Sequence, residues 1–237
     1  MAKKKSRKKV QNPIKSLVTV RQPKSPASEA FRTLRTNIDF SSFDKEIKTL
    51  LVTSAVPGEG KSTTAANLGI AMAVTGKKVL VVDADLRDPS QHKFFELDNG
   101  KGLTSLMIND ELQLINVVQR TMVENLYVLT CGPIPPNPAE ILTSRKMRNF
   151  VKKLQEVYDM IILDSPPVIA ASDASILASY LDGVVLVVGS GAVAREEARH
   201  ARDQLQKVKA NLLGAVLNKV PVKGSGYYYY YYYGKKH

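Results

Sequence analysis

Short apolar runs recur along the chain at Leu50–Thr53, Val79–Val82, Leu126–Leu129, Met160–Leu163, Val184–Val188 and Leu212–Leu217. Each has the length of a strand, and most are separated by stretches with helical spacing of apolar positions, a rhythm that predicts a parallel sheet. Within the runs Val, Ile and Leu follow one another with little polar alternation, as a sheet covered by helices on both faces requires. The prediction is an α/β fold built on a doubly wound, mostly parallel sheet. In such sheets ligands gather beyond the carboxyl ends of the strands, so chemistry is expected in the residues that follow the runs.

Upstream of the first run, Pro23 and Pro26 keep the chain extended, and Ser28 reads as the N-cap of a helix from about Glu29 to Phe40. Downstream of Lys219 the apolar pattern stops, and Gly224-Ser225-Gly226 leads into seven consecutive tyrosines, Tyr227 to Tyr233. These boundaries divide the chain into a basic flexible arm (1–27), one domain (28–219) and a tyrosine-rich flexible tail (220–237). A length of 237 residues with 44% hydrophobic content suits one such domain with two tails.

Charge sharpens the division. Of the formal +12, nine Lys or Arg fall in residues 1–28 with no Asp or Glu among them, which leaves about +3 for the rest. An arm of this kind suits nucleic acid, anionic lipid or an acidic protein, or is simply a solvated run that repels itself. Charge does not choose between these. The single cysteine, Cys131, excludes an intrachain disulfide and reads as a packing residue in a reducing compartment. No apolar run approaches the roughly 18 residues of a membrane span, and the basic N-terminus leads into no apolar signal region, so a cytoplasmic location is expected.

The chemistry begins where the first run ends. Ala55-Val56-Pro57-Gly58-Glu59-Gly60-Lys61-Ser62 follows Leu50–Thr53 and opens a helix-compatible stretch from Thr63 to Val74. This is a Walker A phosphate loop in its required context, with Ala55 in place of the first glycine. Gly58, Glu59 and Gly60 supply backbone N–H groups, Lys61 reaches the β/γ-phosphates, and Ser62 and Thr63 stand at the positive end of the helix, with the Ser62 hydroxyl a ligand for Mg²⁺.

Two other runs end in carboxylates: Val79–Val82 in Asp83-Ala84-Asp85-Leu86-Arg87 and Met160–Leu163 in Asp164-Ser165-Pro166-Pro167. Asp164 is assigned as the metal-binding aspartate of a Walker B strand. Asp83 and Asp85, two apart in extended chain, face one side; one then lies near the metal and the other near an attacking hydroxyl, while Asp85 is also suited to capping the next turn. The catalytic set is Lys61, Asp83 and Asp85, and the metal set Ser62, Asp85 and Asp164.

Together these segments resemble the bacterial tyrosine kinases of the capsule and exopolysaccharide type. The resemblance rests on the phosphate loop, Val81-Val82-Asp83-Ala84-Asp85-Leu86-Arg87, the Gly132–Glu140 segment GPIPPNPAE, Asp164-Ser165-Pro166-Pro167 and the tyrosine-rich end, and it covers roughly residues 25–237. It implies a P-loop NTPase fold of the partitioning-ATPase-like branch, ATP and Mg²⁺ as cofactors, and autophosphorylation of Tyr227, Tyr228, Tyr229, Tyr230, Tyr231, Tyr232 and Tyr233. From about Val220 to the first tyrosine an extended chain reaches roughly 25 Å, which brings a neighbouring site within range.

The same resemblance gives Glu29, Arg32 and Arg35 the spacing of the family's subunit-contact motif, on one flank of a helix whose other side carries Phe31, Leu34 and Ile38. By themselves these three read as an ordinary salt-bridged flank. The family further implies a ring-like homo-oligomer, a separate transmembrane activator that recruits the kinase to the inner face of the membrane, a partner phosphatase, protein-tyrosine substrates, no nucleic-acid partner, and a role in capsular or extracellular polysaccharide synthesis. Asn218 matches the family position that contacts the base, and an Asn there also suits a strand end.

Two other readings compete. A partitioning or division-site ATPase would use the same loop to cycle on DNA or membrane, but those proteins carry an extra lysine where this chain has Val56. A nucleotide-gated scaffold would bind other proteins through arm and tail without chemistry, and only a phosphotransfer assay separates it from a kinase.

Overall fold

The computed structural model describes residues 17–41 and 46–221. The tyrosine segment Tyr227–Tyr233 and the basic cluster Lys3–Lys9 lie outside the described residues.

Seven strands, β1 (Thr49–Ser54), β2 (Val79–Asp83), β3 (Val118–Arg120), β4 (Leu126–Leu129), β5 (Met160–Asp164), β6 (Gly183–Gly189) and β7 (Leu212–Asn218), form one sheet in the order β3-β4-β2-β5-β1-β6-β7. All neighbours are parallel except β3, which pairs antiparallel with β4. The doubly wound, mostly parallel sheet expected from the apolar rhythm is present. The six runs are six of the strands; β3 is the addition, a three-residue edge with too few apolar positions to register.

The continuity of the runs has a direct cause. Side chains alternate across a strand, and here both faces are dry: Leu51, Leu80, Val82, Leu129, Ile161 and Leu163 point into one core, and Leu50, Val52, Val79, Val81, Val128 and Ile162 into the other. The second core is covered by α2 (Pro26–Phe40) and α3 (Lys61–Ala73). From Thr64 to Ala73 every residue of α3 is buried, because the sheet lies below it and α2 above.

The N-terminal boundary differs from the sequence expectation. The helix starts at Pro26, with Ser25 as its N-cap accepting from the Ser28 N–H at 3.2 Å. Ser28 is instead buried and donates its hydroxyl to the Gln22 carbonyl at 2.6 Å. Residues 17–25 are not an extended arm: α1 (Val18–Arg21) lies against α2 and α3, Leu17 is buried, and the Thr19 N–H and hydroxyl both donate to Asn67 Oδ1, at 3.1 and 2.8 Å. The apolar pair Leu17 and Val18 was too short to stand out beside the basic residues flanking it.

Candidate active site

The carboxyl ends of β1, β2, β5, β6 and β7 meet along one edge of the sheet, and the assigned residues gather there. β1 runs into the loop 55–62, where Gly58 and Gly60 take positive φ of 84° and 97°. This left-handed conformation favours glycine, turns backbone N–H groups into the concavity and starts α3 at Lys61. A Cβ placed on Gly58 would meet no atom within 4 Å, so the loop's mouth is open.

Glu59, counted from sequence among the phosphate-loop ligands, is fully buried and its carboxylate is engaged elsewhere. It accepts from the Val56 N–H at 2.9 Å and from the Gly189 N–H, at the end of β6, at 2.8 Å. Its backbone remains part of the loop; its side chain is a strut. On the far side Asn218 donates its amide to the Glu59 carbonyl at 2.9 Å, and Lys219 donates to the Gly58 carbonyl. β6 and β7 thus hold the loop from behind, and in this state the Asn218 amide faces the loop.

Lys61 turns back into the acids. Its Nζ lies 2.7 Å from Asp85 Oδ2 and 3.6 Å from Asp164 Oδ1, and donates to Ser62 Oγ at 3.1 Å. Burial alone would lower its pKa; Asp164 and Asp85 outweigh that and raise it, so the ammonium is held charged. The capping expected of Asp85 is present: its other oxygen accepts from the Arg87 and Asp88 N–H groups, at 3.3 and 3.0 Å.

Asp83 and Asp164 are in register across β2 and β5 and are fully buried. Asp83 Oδ2 accepts from the Ser90 and Gln91 N–H groups at 2.9 and 2.8 Å, and its Oδ1 has no hydrogen-bond partner. Burial, with Asp164 beside it, pushes its carboxyl up to about 8 against those two bonds. Asp164 Oδ2 accepts from Gln91 Nε2 at 2.8 Å, and Oδ1 closes no hydrogen bond. Burial raises its pKa too, opposed first by Lys61.

A buried carboxylate oxygen that closes no hydrogen bond, Asp164 Oδ1, beside a serine hydroxyl at a helix start, supplies the oxygen donors that a hard cation takes. No group of three His, Cys, Asp or Glu among the described residues forms a metal cage on its own. Mg²⁺ is usually held by one or two carboxylates together with phosphate and water.

Two residues at the site carry no sequence signal. Gln91 links three parts at once: its N–H binds Asp83, and its side chain binds Asp164 and the Ser62 carbonyl, the last at 3.1 Å. Asp173, buried at the start of the helix Asp173–Ala178, takes a bidentate pair from Arg87, at 2.9 and 3.0 Å, which anchors the loop after Asp85. Their effect depends on tertiary placement. Only the Arg87 end of that pair lies in a recognisable motif.

The helix trio is partly engaged within the chain. Glu29 and Arg32 form an i,i+3 pair at 2.5 Å, Arg32 also donates to the Pro23 carbonyl at 2.9 Å, and Arg35 donates to the Ala71 carbonyl near the end of α3 at 3.1 Å. The flank is a bonded one rather than a free one.

Fold and loop together define a P-loop NTPase, and the ParA family model, described as NUBPL iron-transfer P-loop NTPase, matches residues 46–224. Within that class the similarity is narrower. Tyrosine-protein kinase YwqD of Bacillus subtilis (strain 168) is 48% identical over 204 residues, 86% of this chain and 86% of the relative. Tyrosine-protein kinase CpsD of Streptococcus agalactiae is 37% identical over 218 residues, 92% of this chain and 93% of the relative. The crystal structure of the chimerical protein CapA2B2 superposes with a TM-score of 0.84 at 42% identity, covering 87% of this chain and 91% of that one. The chain belongs to the bacterial tyrosine-protein kinase family.

Proposed function

We propose that this chain binds ATP with Mg²⁺ in the loop 55–62 and transfers the γ-phosphoryl group to tyrosine, with its own Tyr227–Tyr233 as the first acceptors. The observation that carries this reading is the unpartnered Asp83 Oδ1, a buried carboxylate oxygen with a raised pKa at the strand end next to Asp164 and Lys61. In its ionised form a group of that kind is a proton acceptor for a phenol, the raised pKa making it the stronger base. In the transfer, the tyrosine oxygen forms a bond to the γ-phosphorus, the bond from that phosphorus to the β,γ-bridging oxygen breaks, and ADP leaves. Asp83 takes the phenolic proton, and Lys61 offsets charge on the phosphoryl oxygens.

Ser62 and Asp164 would hold Mg²⁺ directly and Asp85 through water; the ion would neutralise charge between the β- and γ-phosphates. Arg87 and Asp173 keep Asp85 in place.

Membership of the family supports a wider setting for this reading. The kinase acts in control of capsular or extracellular polysaccharide synthesis, as a cytoplasmic ring-like homo-oligomer recruited to the membrane by a transmembrane activator and reset by a tyrosine phosphatase. No helix of the described residues is long and apolar enough to cross a membrane. Each phosphotyrosine adds about −1.5 to −2 charges, so a fully modified tail is repelled by a carboxylate-lined site and loosens the ring.

The test replaces Tyr227–Tyr233 by Phe in the full chain and follows phosphate from γ-labelled ATP, with the activator's cytoplasmic end present. Loss of incorporation with nucleotide binding kept is the expected result. ATP hydrolysis without tyrosine modification in the unaltered chain would replace this reading by that of a partitioning-type ATPase.

A further inference from the structure

Gln91 carries no charge and no nucleophile, yet three of the assigned site residues meet on it. It opens α4 (Gln91–Phe95), a short helix whose N-cap residue, Ser90, makes no side-chain capping bond. The Asp83 carboxylate caps the helix instead, taking the Ser90 and Gln91 N–H groups on Oδ2 at 2.9 and 2.8 Å. The backbone of Gln91 is thereby pinned to the end of β2.

From that fixed point its side chain spans from the end of β5 to the first turn of α3 and is fully buried. Nε2 donates to Asp164 Oδ2 at 2.8 Å and to the Ser62 carbonyl at 3.1 Å. Both partners are acceptors, which settles the end of the amide that faces them. They also belong to the two residues assigned to the cation, and Gln91 holds each by an oxygen other than the assigned ligand. Asp164 is held by Oδ2, which leaves Oδ1, and Ser62 by its carbonyl, which leaves its hydroxyl. Lys61 Nζ lies 3.1 Å from Ser62 Oγ and 3.6 Å from Asp164 Oδ1, so these two remaining oxygens flank one ammonium.

The choice of an amide has a physical reason. Mg²⁺ demands near-ideal octahedral geometry at about 2.0–2.1 Å and keeps several waters, so the spacing of its protein oxygens matters. A lysine or arginine in place of Gln91 would answer the Asp164 charge and compete with the cation, and a hydroxyl has one proton and cannot bridge two acceptors. The other end of the amide is informative as well. Gln91 Oε1 is buried and has no hydrogen-bond partner among the described residues. A bridge that serves folding alone is as a rule satisfied at both ends. An acceptor left over beside two cation ligands matches, in its chemistry, the protons of a water carried by the cation.

Resting on the ATP and Mg²⁺ reading above, we propose that Gln91 is the positioning residue of the cation site: it sets the separation and orientation of Ser62 Oγ and Asp164 Oδ1 by gripping the atoms behind them, and offers Oε1 to the cation's water shell. It touches neither phosphate nor cation. Because its N–H also holds Asp83, the proton acceptor and the metal carboxylate are referred to one anchor.

The test measures ADP affinity of the full chain by calorimetry, once in excess Mg²⁺ and once in EDTA, for the wild type, Gln91→Met and Gln91→Asn. Met keeps the length and loses both donated protons; Asn keeps the amide and is one methylene too short to span the two acceptors. The readout is the ratio of the two affinities. It is expected to fall about tenfold in both variants, the lower end of the loss that follows removal of an outer-shell partner, while affinity in EDTA stays within about threefold of wild type. Equal losses in Mg²⁺ and in EDTA would make Gln91 a structural prop and overturn the proposal, as would a wild-type ratio in either variant. Gln91→Asn, the milder change, decides the matter if Gln91→Met does not fold. A wild type whose affinity ignores Mg²⁺ overturns the cation assignment and this proposal with it, whereas a variant that keeps the wild-type ratio sinks the positioning role alone. No phosphotransfer is measured, so the kinase reading stands or falls separately.

Discussion

The Asn218 amide occupies the space that a side chain on Gly60 would need: a Cβ built on Gly60 would lie 2.2 Å from Asn218 Nδ2. Because Gly60 also has φ 97°, Gly60→Ala combines backbone strain of about 1–3 kcal/mol with displacement of the amide that holds the Glu59 carbonyl. We predict at least a tenfold loss of affinity for an ATP analogue by calorimetry, roughly the equivalent of that strain. Gly58→Ala carries strain without collision and loses less. Equal effects of the two would show that the strand-end buttress does not matter.

Asp83→Asn is predicted to stabilise the nucleotide-free chain while ending phosphotransfer. The amide oxygen still accepts from the Ser90 and Gln91 N–H groups, and a buried charge facing Asp164 is removed. The wild-type carboxyl titrates near 8 when folded, above its unfolded value, so it withdraws stability as pH rises from about 4 through 8. The variant's advantage should therefore grow with pH over that window, reaching about 2–4 °C in melting temperature at pH 9. A variant less stable than wild type at pH 9 would contradict this account of the site's charge.

Cys131 is fully buried, and burial, with Asp83 and Asp85 near, pushes its thiol up to about 12. The folded chain should resist iodoacetamide at pH 8, and label fully once unfolded in urea. Rapid stoichiometric labelling of the folded chain would disprove this environment.

Arg35 and Arg32 separate stability from assembly. Arg35→Ala removes the bond to the Ala71 carbonyl and should cost about 0.5–1.5 kcal/mol in urea unfolding. Arg32→Ala breaks a half-exposed pair with Glu29 and should cost less than about 1 kcal/mol. If the flank is a subunit contact, native mass spectrometry shows smaller assemblies for both. Unchanged assemblies would reduce the trio to the intrachain roles described above.

What the sequence made legible divides along a physical line. Local signals were sufficient for the six long strands, whose two dry faces leave unbroken Val, Ile and Leu, and for Lys61, Asp83, Asp85 and Asp164, which the sheet delivers to one edge. Partners chosen by tertiary placement were not legible. Gln91 reaches Asp164 across 73 residues, and Asp173 reaches Arg87 across 86. Glu59 stood in the loop motif, yet its carboxylate belongs to Val56 and Gly189, a fact set by where β6 ends. The helix at Val18–Arg21 was hidden because its anchors are Leu17 and a single bonded pair of groups on Thr19 rather than a periodic face.

The most direct test of the central claim is a phosphate map of the full chain after incubation with ATP, Mg²⁺ and the activator's cytoplasmic end, beside a Lys61→Met control. The account predicts phosphate on Tyr227–Tyr233 in the wild type and at least a hundredfold less in the control, the loss of roughly 3 kcal/mol of transition-state stabilisation. Tyrosine phosphate that persists in the control, or a wild-type chain that consumes ATP and leaves every tyrosine unmodified, would contradict it.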